Sequence, residues 1–423
     1  MRSPTTLLLT SVLLTLNARG ADWPQWRGPD RTGHVSPGAT VPASLSTEPK
    51  IVWRLKIGDG FASPVVAGGK VFYSDNHEGH ETLHALEAGS GKEIWHADID
   101  QAAGDQQGPA GPRCTPLVDG DRVYAQSLKG QLRCLKTSDG SLVWKVNYTT
   151  DFSAIFIGEK GNAQGAARHG NNGSPLIDGN QMFVNVGGTN GESVVCFQKE
   201  TGKVLWKSQN DQAAYAAPFM ATIGGVKQLV AFTVEGVIGL GVKEGKLLWR
   251  FPMKTSYARH VTTPVVLDDM VVVSSHEIGL VGLKISKNGE AWEAKRAWLS
   301  RESAINFSSP VAVGNYLYGL GPTANLICVD IKTGKQTWSK DGYVTTSGDR
   351  AHAAFIVMEP NILTLTDGGQ LVLFRADPKE CKEIGTLQVC GKTWCNPAYA
   401  DGKLFLRDAR ELMCVELSGE QGN

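Results

Sequence analysis

The segment TGKVLWK at Thr201 constrains the fold more than any other, because the chain writes it again and again. Copies stand at Ser90 (SGKEIWH), Asp139 (DGSLVWK), Glu244 (EGKLLWR) and Thr333 (TGKQTWS). A looser copy runs from Asn288 to Trp298, and KEIG at Lys382 puts Gly385 where the others have Trp. A second phrase precedes each of these, as in SPVVAGGKVFY at Ser63, TPLVDGDRVYA at Thr115 and SPVAVGNYLYG at Ser309. Its prolines are Pro64, Pro116, Pro175, Pro218, Pro264, Pro310 and Pro397. The first six lie 52, 59, 43, 46 and 46 residues apart, and the 87 residues from Pro310 to Pro397 hold two units, one lacking its Pro. Self-similarity at such a period means a repeat architecture.

Each unit reads as four short strands. The innermost opens at the Pro, which costs no ladder bond at a strand start. A Gly or Asp turn leads to a strand rich in Val, Tyr and Phe. A third strand follows (QLRCLKT, NLICVDI), and the Gly turn leads to the fourth, which carries the Trp. The first three strands occur eight times, but the last set, ending at LMCVELSGEQGN, has no fourth. IVWRLKI (Ile51 to Ile57), ahead of the first set, resembles a fourth strand. The sequence therefore predicts an all-β fold, an eight-bladed β-propeller with four-stranded antiparallel blades. An N-terminal strand completes the last blade and closes the ring, leaving no open edge. The Gly permits a positive φ and the Trp lies against the next blade, so the repetition is architectural.

The first twenty residues are read apart from the fold. Arg2, the apolar run Leu7 to Leu16 and the small residues of ARG predict a signal peptide cleaved near Gly20. The expected location is periplasmic or extracellular, with no transmembrane span in the mature chain. Residues 21–50 then form an N-terminal extension and 51–423 the propeller. Lys+Arg and Asp+Glu are both 42, which argues against a nucleic-acid partner. Cys134, Cys196, Cys328 and Cys414 occupy the same strand position in different units, so they read as small buried hydrophobes. Cys381, Cys390 and Cys395 lie close enough in sequence to include one disulfide, which only geometry decides.

ALEAGSGKEIW and VDIKTGKQTW are similar to the tryptophan-docking motif of quinoprotein-like propellers. DWPQWRGPDRTGHVS (Asp22 to Ser36) looks like the N-terminal signature of exported pyrroloquinoline-quinone-like repeat proteins of planctomycete-type bacteria. The resemblance covers essentially the whole mature chain. It implies a fold shared with quinone-dependent alcohol dehydrogenases and with the propeller lipoprotein of outer-membrane assembly. It also raises pyrroloquinoline quinone with calcium as a cofactor. The dehydrogenase pattern includes two adjacent Cys under the quinone, and this chain has no Cys-Cys dipeptide. No catalytic residue is carried over, and the reading leans away from an enzyme.

HETLH (His80 to His84) matches the zinc-protease pattern in letters only. That pattern needs a helix, and this segment falls where other units have a strand. On a strand, residues i and i+4 stand roughly 13 Å apart. His77 and His96 read as surface residues. The informative positions precede the innermost strand of each unit, where connections arrive at one mouth of the channel. They supply Arg113, Arg168, His169, Asn172, Tyr257, Arg259, His260, Asn306, Arg350, His352, Trp394 and Asn396 as candidate ligand-binding residues. Four of these are arginines with Asp349 as the one acid beside them in sequence, which predicts an anion site. Two long insertions, Asp98 to Arg113 and Asn147 to Gly170, are expected to form a rim. The expected function is an exported binding or interaction scaffold that takes a small anionic ligand or a protein partner. The rivals are a quinone-dependent oxidoreductase and an envelope protein-assembly component.

Overall fold

The computed structural model describes residues 22–344, 346 and 350–417; the segment expected to be a signal peptide lies outside them. Eight four-stranded antiparallel sheets form the ring. Neighbouring innermost strands meet around the axis, as Val65–Ala67 does with Ala398–Ala400 on one side and Leu117–Asp119 on the other. The ring closes as expected. Lys50–Lys56 pairs antiparallel with Glu411–Glu416, outside Lys403–Arg407 and Ala398–Ala400. Among the described residues no helix is long and apolar enough to cross a membrane.

The register explains the four regularly placed cysteines. Cys134, Cys196, Cys328 and Cys414 sit directly opposite Trp144, Trp206, Trp338 and Trp53. Ala85, Gly239 and Gly282 take the same place opposite Trp95, Trp249 and Trp298. A small residue leaves room for the indole, so Cys serves here as volume and not as chemistry. In the seventh blade the sizes are exchanged, with Leu373 opposite Gly385. All eight cysteines are free, and no bridge joins Cys381, Cys390 and Cys395.

Six Trp residues use one joint. The Trp144 Nε1–H donates to the Lys199 carbonyl of the next blade at 2.8 Å, and its ring lies on Gly202. Gly202 has φ 71°, and a Cβ there would stand 2.7 Å from the ring. Trp53, Trp95, Trp206 and Trp298 repeat this on Gly91, Gly140, Gly245 and Gly334, and Trp338 donates to the Asp377 carbonyl. Each turn glycine is thus both a left-handed turn and the platform for the preceding blade's indole.

The extension does more than lead into the closing strand. Trp23 pairs with Val66 of the first blade, and the Pro24 carbonyl accepts from the Val118 N–H of the second. Arg31 donates to the Ser174 and Pro175 carbonyls of the third. Trp26 Nε1–H reaches Thr263 Oγ1 of the fifth at 2.9 Å, and Arg27 donates to the Pro310 carbonyl of the sixth. His34 bridges to Val357 of the seventh. The segment therefore plugs the channel against the innermost strands. Arg27 and Arg31 are buried, each with φ 60°, and burial lowers both guanidinium pKa values to about 9. Beyond the plug, the Tyr399 hydroxyl donates to the Thr40 carbonyl at 2.6 Å and Leu45 covers Gly385.

Candidate ligand site at the channel mouth

The Ser and Thr residues that precede the prolines stitch neighbouring blades where the innermost strands begin. The Asn396 N–H donates to Ser63 Oγ at 2.8 Å, Ser174 Oγ to the Thr115 carbonyl at 3.1 Å, and the Thr263 N–H to Ser309 Oγ at 3.0 Å. These bonds fix the collar of the mouth. Above the collar is a cavity of about 180 Å³, and Trp26 of the plug lines it. With Trp26 of the plug in its lining, this cavity is a cup at the channel mouth.

Seven of the twelve expected residues line this cup: Arg113, His169, Asn172, Arg259, His352, Trp394 and Asn396. The other five do not. His260 is fully buried, stacked on Phe232 at 4.2 Å, with Nδ1 2.8 Å from Ser275 Oγ. Burial lowers its pKa to about 4, so it is a neutral core residue near pH 7. Arg168 packs over Tyr257 at 5.4 Å, outside the cavity, and Tyr257 is exposed between it and Arg259. Asn306 is half-buried away from the cavity, and Arg350 is exposed.

The expected cluster of arginines with few acids nearby needs correction. Asp105, from the first insertion, holds Arg113 in a two-pronged ion pair at 2.6 and 3.0 Å. Its Oδ2 also accepts from His169 Nδ1 at 2.7 Å, while His169 Nε2 accepts from Arg168 Nε at 3.2 Å. These contacts hold the Asp105 carboxyl well below the usual carboxylate range against the opposing effect of its burial. Glu159, from the second insertion, lies 4.0 Å from Arg168 and accepts the Gln106 N–H at 2.8 Å. The insertions therefore grip each other and neutralise two of the four guanidiniums. Asp349 lies outside the described residues.

Sequence reasoning named Trp394 but missed the two rings that pack on it. Trp394 stacks between Phe61 at 5.7 Å and Phe307 at 5.8 Å, and Arg113 lies over the Phe61 ring at 5.8 Å. Phe307 follows the candidate Asn306, and Phe61 and Tyr215 each stand three residues ahead of a strand-opening Pro, a signal that position alone offered. The same cavity carries polar atoms without a partner. Tyr215 is 7% exposed, and its hydroxyl bonds to nothing among the described residues; Asn172 Oδ1 and Arg113 Nε are also unmatched. Buried polar groups are rarely left so, and these three belong to residues lining the cup. Burial lowers the His352 pKa to about 4, so that ring too is neutral near pH 7.

A family model described as "Outer membrane protein assembly factor BamB" matches residues 39–187 and 158–373. The curated protein of that name from Shewanella oneidensis is 22% identical over 268 residues, covering 61% of this chain and 63% of that protein. The one from Escherichia coli is 30% identical over 118 residues, 26% of this chain and 29% of that protein. The matched stretches thus span less than two-thirds of those relatives. Among solved structures, BamB from Moraxella catarrhalis superposes with a TM-score of 0.56 at 12% identity, over 88% of this chain and 98% of that one. The quinohemoprotein alcohol dehydrogenase ADHIIG from Pseudomonas putida HK5 gives 0.59 at 12% identity, over 95% and 81%. At such identities the likeness is one of fold.

Proposed function

We propose that this chain, which belongs to the quinoprotein-like propeller family of the outer membrane protein assembly factor BamB model, is an exported binding scaffold that holds a small flat ligand in its cup. The observation that supports this reading most is the pairing of an aromatic wall with unmatched buried polar atoms. The Trp394 wall offers a face for a ring, and Tyr215 and Asn172 offer a hydroxyl and an acceptor to its edge. Arg259 lines the cup and offers its guanidinium to an acidic group on the ligand, alongside Glu277, on which its charge already acts. Arg113 contributes orientation more than charge, because Asp105 already holds it.

Quinone with calcium is the cofactor that the dehydrogenase relatives bring to mind. Calcium takes six to eight oxygen ligands, with carboxylates prominent among them. Among the described residues lining the cup there is no Asp or Glu, and Asp105 behind it is committed to Arg113 and His169. These residues do not fit a calcium-bound quinone, so no redox step is assigned to them. The second reading is a component of an envelope assembly complex. The family match and the printed names of the curated relatives favour it, and partner capture from envelope extracts would separate it from small-molecule binding.

Calorimetric titration of the mature protein with benzoate and with pyrroloquinoline quinone tests the leading reading. We expect saturable binding of at least one probe at millimolar concentration or below, weakened about tenfold or more in Arg259→Ala. Absence of heat from both probes at about 10 mM would sink the cup as a ligand site. Quinone-dependent dye reduction with an alcohol would instead promote the oxidoreductase reading.

A further inference from the structure

The first blade carries a second constellation, on its outer strands and away from the channel. His84 is on the strand His80–Glu87, and Glu93 and His96 are on Glu93–Gln101. His84 and His96 are direct cross-strand partners, and a register shift at Ala85/Leu86 accompanies Glu93 beside them. His84 Nδ1 lies 2.7 Å from Glu93 Oε2, and His96 Nδ1 lies 2.9 Å from Glu93 Oε1. One donor atom from each of the three falls within 4.8 Å of the other two. The ring of His77 completes a near-equilateral triangle with those of His84 and His96, with centroid distances of 5.6, 5.7 and 5.6 Å.

The far side of His84 is built as a metal-binding histidine would need it. Its Nε2 faces Asp75 Oδ1 at 3.0 Å, and Asp75 Oδ2 accepts the Gly58 N–H at 2.7 Å. Asp75 and His84 are 2% and 3% exposed, so this pair is fixed inside the blade. Tyr73 stacks on the imidazole at 4.7 Å and 13° and sets its plane. A carboxylate that accepts a hydrogen bond from Nε2–H turns Nδ1 outward, where it becomes a ligand once its own proton leaves, the arrangement that orients and strengthens a metal-ligating His. Glu93 and His96 are exposed, so an ion has an open path.

We propose that His84, Glu93 and His96, with the His77 ring beside them, form a binding site for a divalent zinc-type ion on the outer face of the first blade. Two or three imidazoles and one carboxylate suit zinc far better than calcium or magnesium. With metal–ligand bonds near 2.1 Å, tetrahedral donors stand about 3.4 Å apart. The His84 and His96 contacts to Glu93 need to open by about 0.5–0.7 Å and the wider donor separations to close toward the same spacing, with protons leaving the imidazoles as the ion enters. Asp75 is a positioning residue that touches His84 and not the ion. The bound ion ties together two strands, His80–Glu87 and Glu93–Gln101, of the blade that follows the closing one. The HETLH segment thus places one His in such a site while His80 turns to Gln101.

Titration of the mature, untagged and chelator-treated protein with zinc chloride tests this directly. We expect one ion per chain, bound with a dissociation constant below about 10 µM, and a higher melting temperature on saturation. His96→Ala changes an exposed residue, so the variant folds; it should weaken binding at least tenfold, within the usual range of about 10–100-fold for a damaged site. Cobalt in place of zinc should give the intense visible absorption of a four-coordinate ion, lost in the same variant. His80→Ala should leave affinity and spectrum unchanged. No saturable zinc binding up to about 100 µM, or equal affinity in His96→Ala, overturns the site and leaves His84 as a buried imidazole bridging two carboxylates.

Discussion

Two of the eight joints between blades differ from the other six, and the difference separates what repetition does from what it leaves to special segments. Six joints seat an indole on the next blade's turn. At the fourth, Trp249 stays in its own blade, donating to Gln228 Oε1 at 2.7 Å. There the long hairpin Gly279–Asn288 and Ala291–Ser300 of the fifth blade lies back against Leu247–Pro252, with Trp292 near Gly224. At the seventh, Gly385 has no ring to offer and Leu45 of the extension covers it. A departure from the repeat therefore marks a place where another segment does the packing.

The largest effect should come from removing that other segment. Deleting residues 22–57 takes away the channel plug, the Gly385 cover and the closing strand together. It strips carbonyls at Ser174, Pro175 and Pro310 of their arginine donors and exposes the Glu411–Glu416 edge. We expect loss of cooperative melting and aggregation in size-exclusion chromatography; an unchanged transition would contradict the role given to the extension.

Next is the contrast between regular and irregular joints. Trp144→Ala should cost about 3–5 kcal/mol, the usual cost of truncating a buried Trp. Leu45→Ala at the Gly385 joint should cost about 1–2 kcal/mol, because Leu45 is only partly buried. Urea midpoints measure both, and equal losses would break the comparison. A finer test uses two glycines. Gly202→Ala meets the Trp144 ring, whereas Gly179, with φ 59°, has open space around it. Gly179→Ala should cost about 1 kcal/mol from backbone strain alone, and Gly202→Ala at least about twice that.

The fold was legible because eight copies of one pattern average out local ambiguity, and counting strands even revealed the missing outer strand of the last blade. The plug was not, because Trp23, Arg27 and Arg31 are read once and their partners are backbone carbonyls, which carry no sequence signature. The cup was legible in part. Position before a strand-opening Pro places a residue at the mouth, but not which way its side chain turns. His260 shows this, turning inward onto Phe232 while Arg259 beside it faces the cavity. Asp105 and Glu159 were invisible as partners because they arrive from insertions with no counterpart in other units.

The last effect is a pH dependence at an ordinary joint, between the first and second blades. Glu81 is buried and accepts the Leu128 N–H at 3.1 Å, and burial raises its pKa to about 8. The folded value lies above the unfolded one, so the protonated form stabilises the fold. This contribution is fully present below about pH 4.5 and is lost as pH rises toward 8. Glu81→Gln should flatten that decline between about pH 5 and pH 8; an unaltered slope of stability against pH would show that the carboxyl ionises without cost.

The proposed function lies in the cup and not in the repeats around it. A crystal structure of the mature protein soaked with whichever probe binds in solution tests it most directly. The account predicts ring density against Trp394, an acidic group toward Arg259, and a ligand hydrogen bond to the Tyr215 hydroxyl. Probe density elsewhere on the ring, with ordered water alone reaching Tyr215 and Asn172, would contradict it.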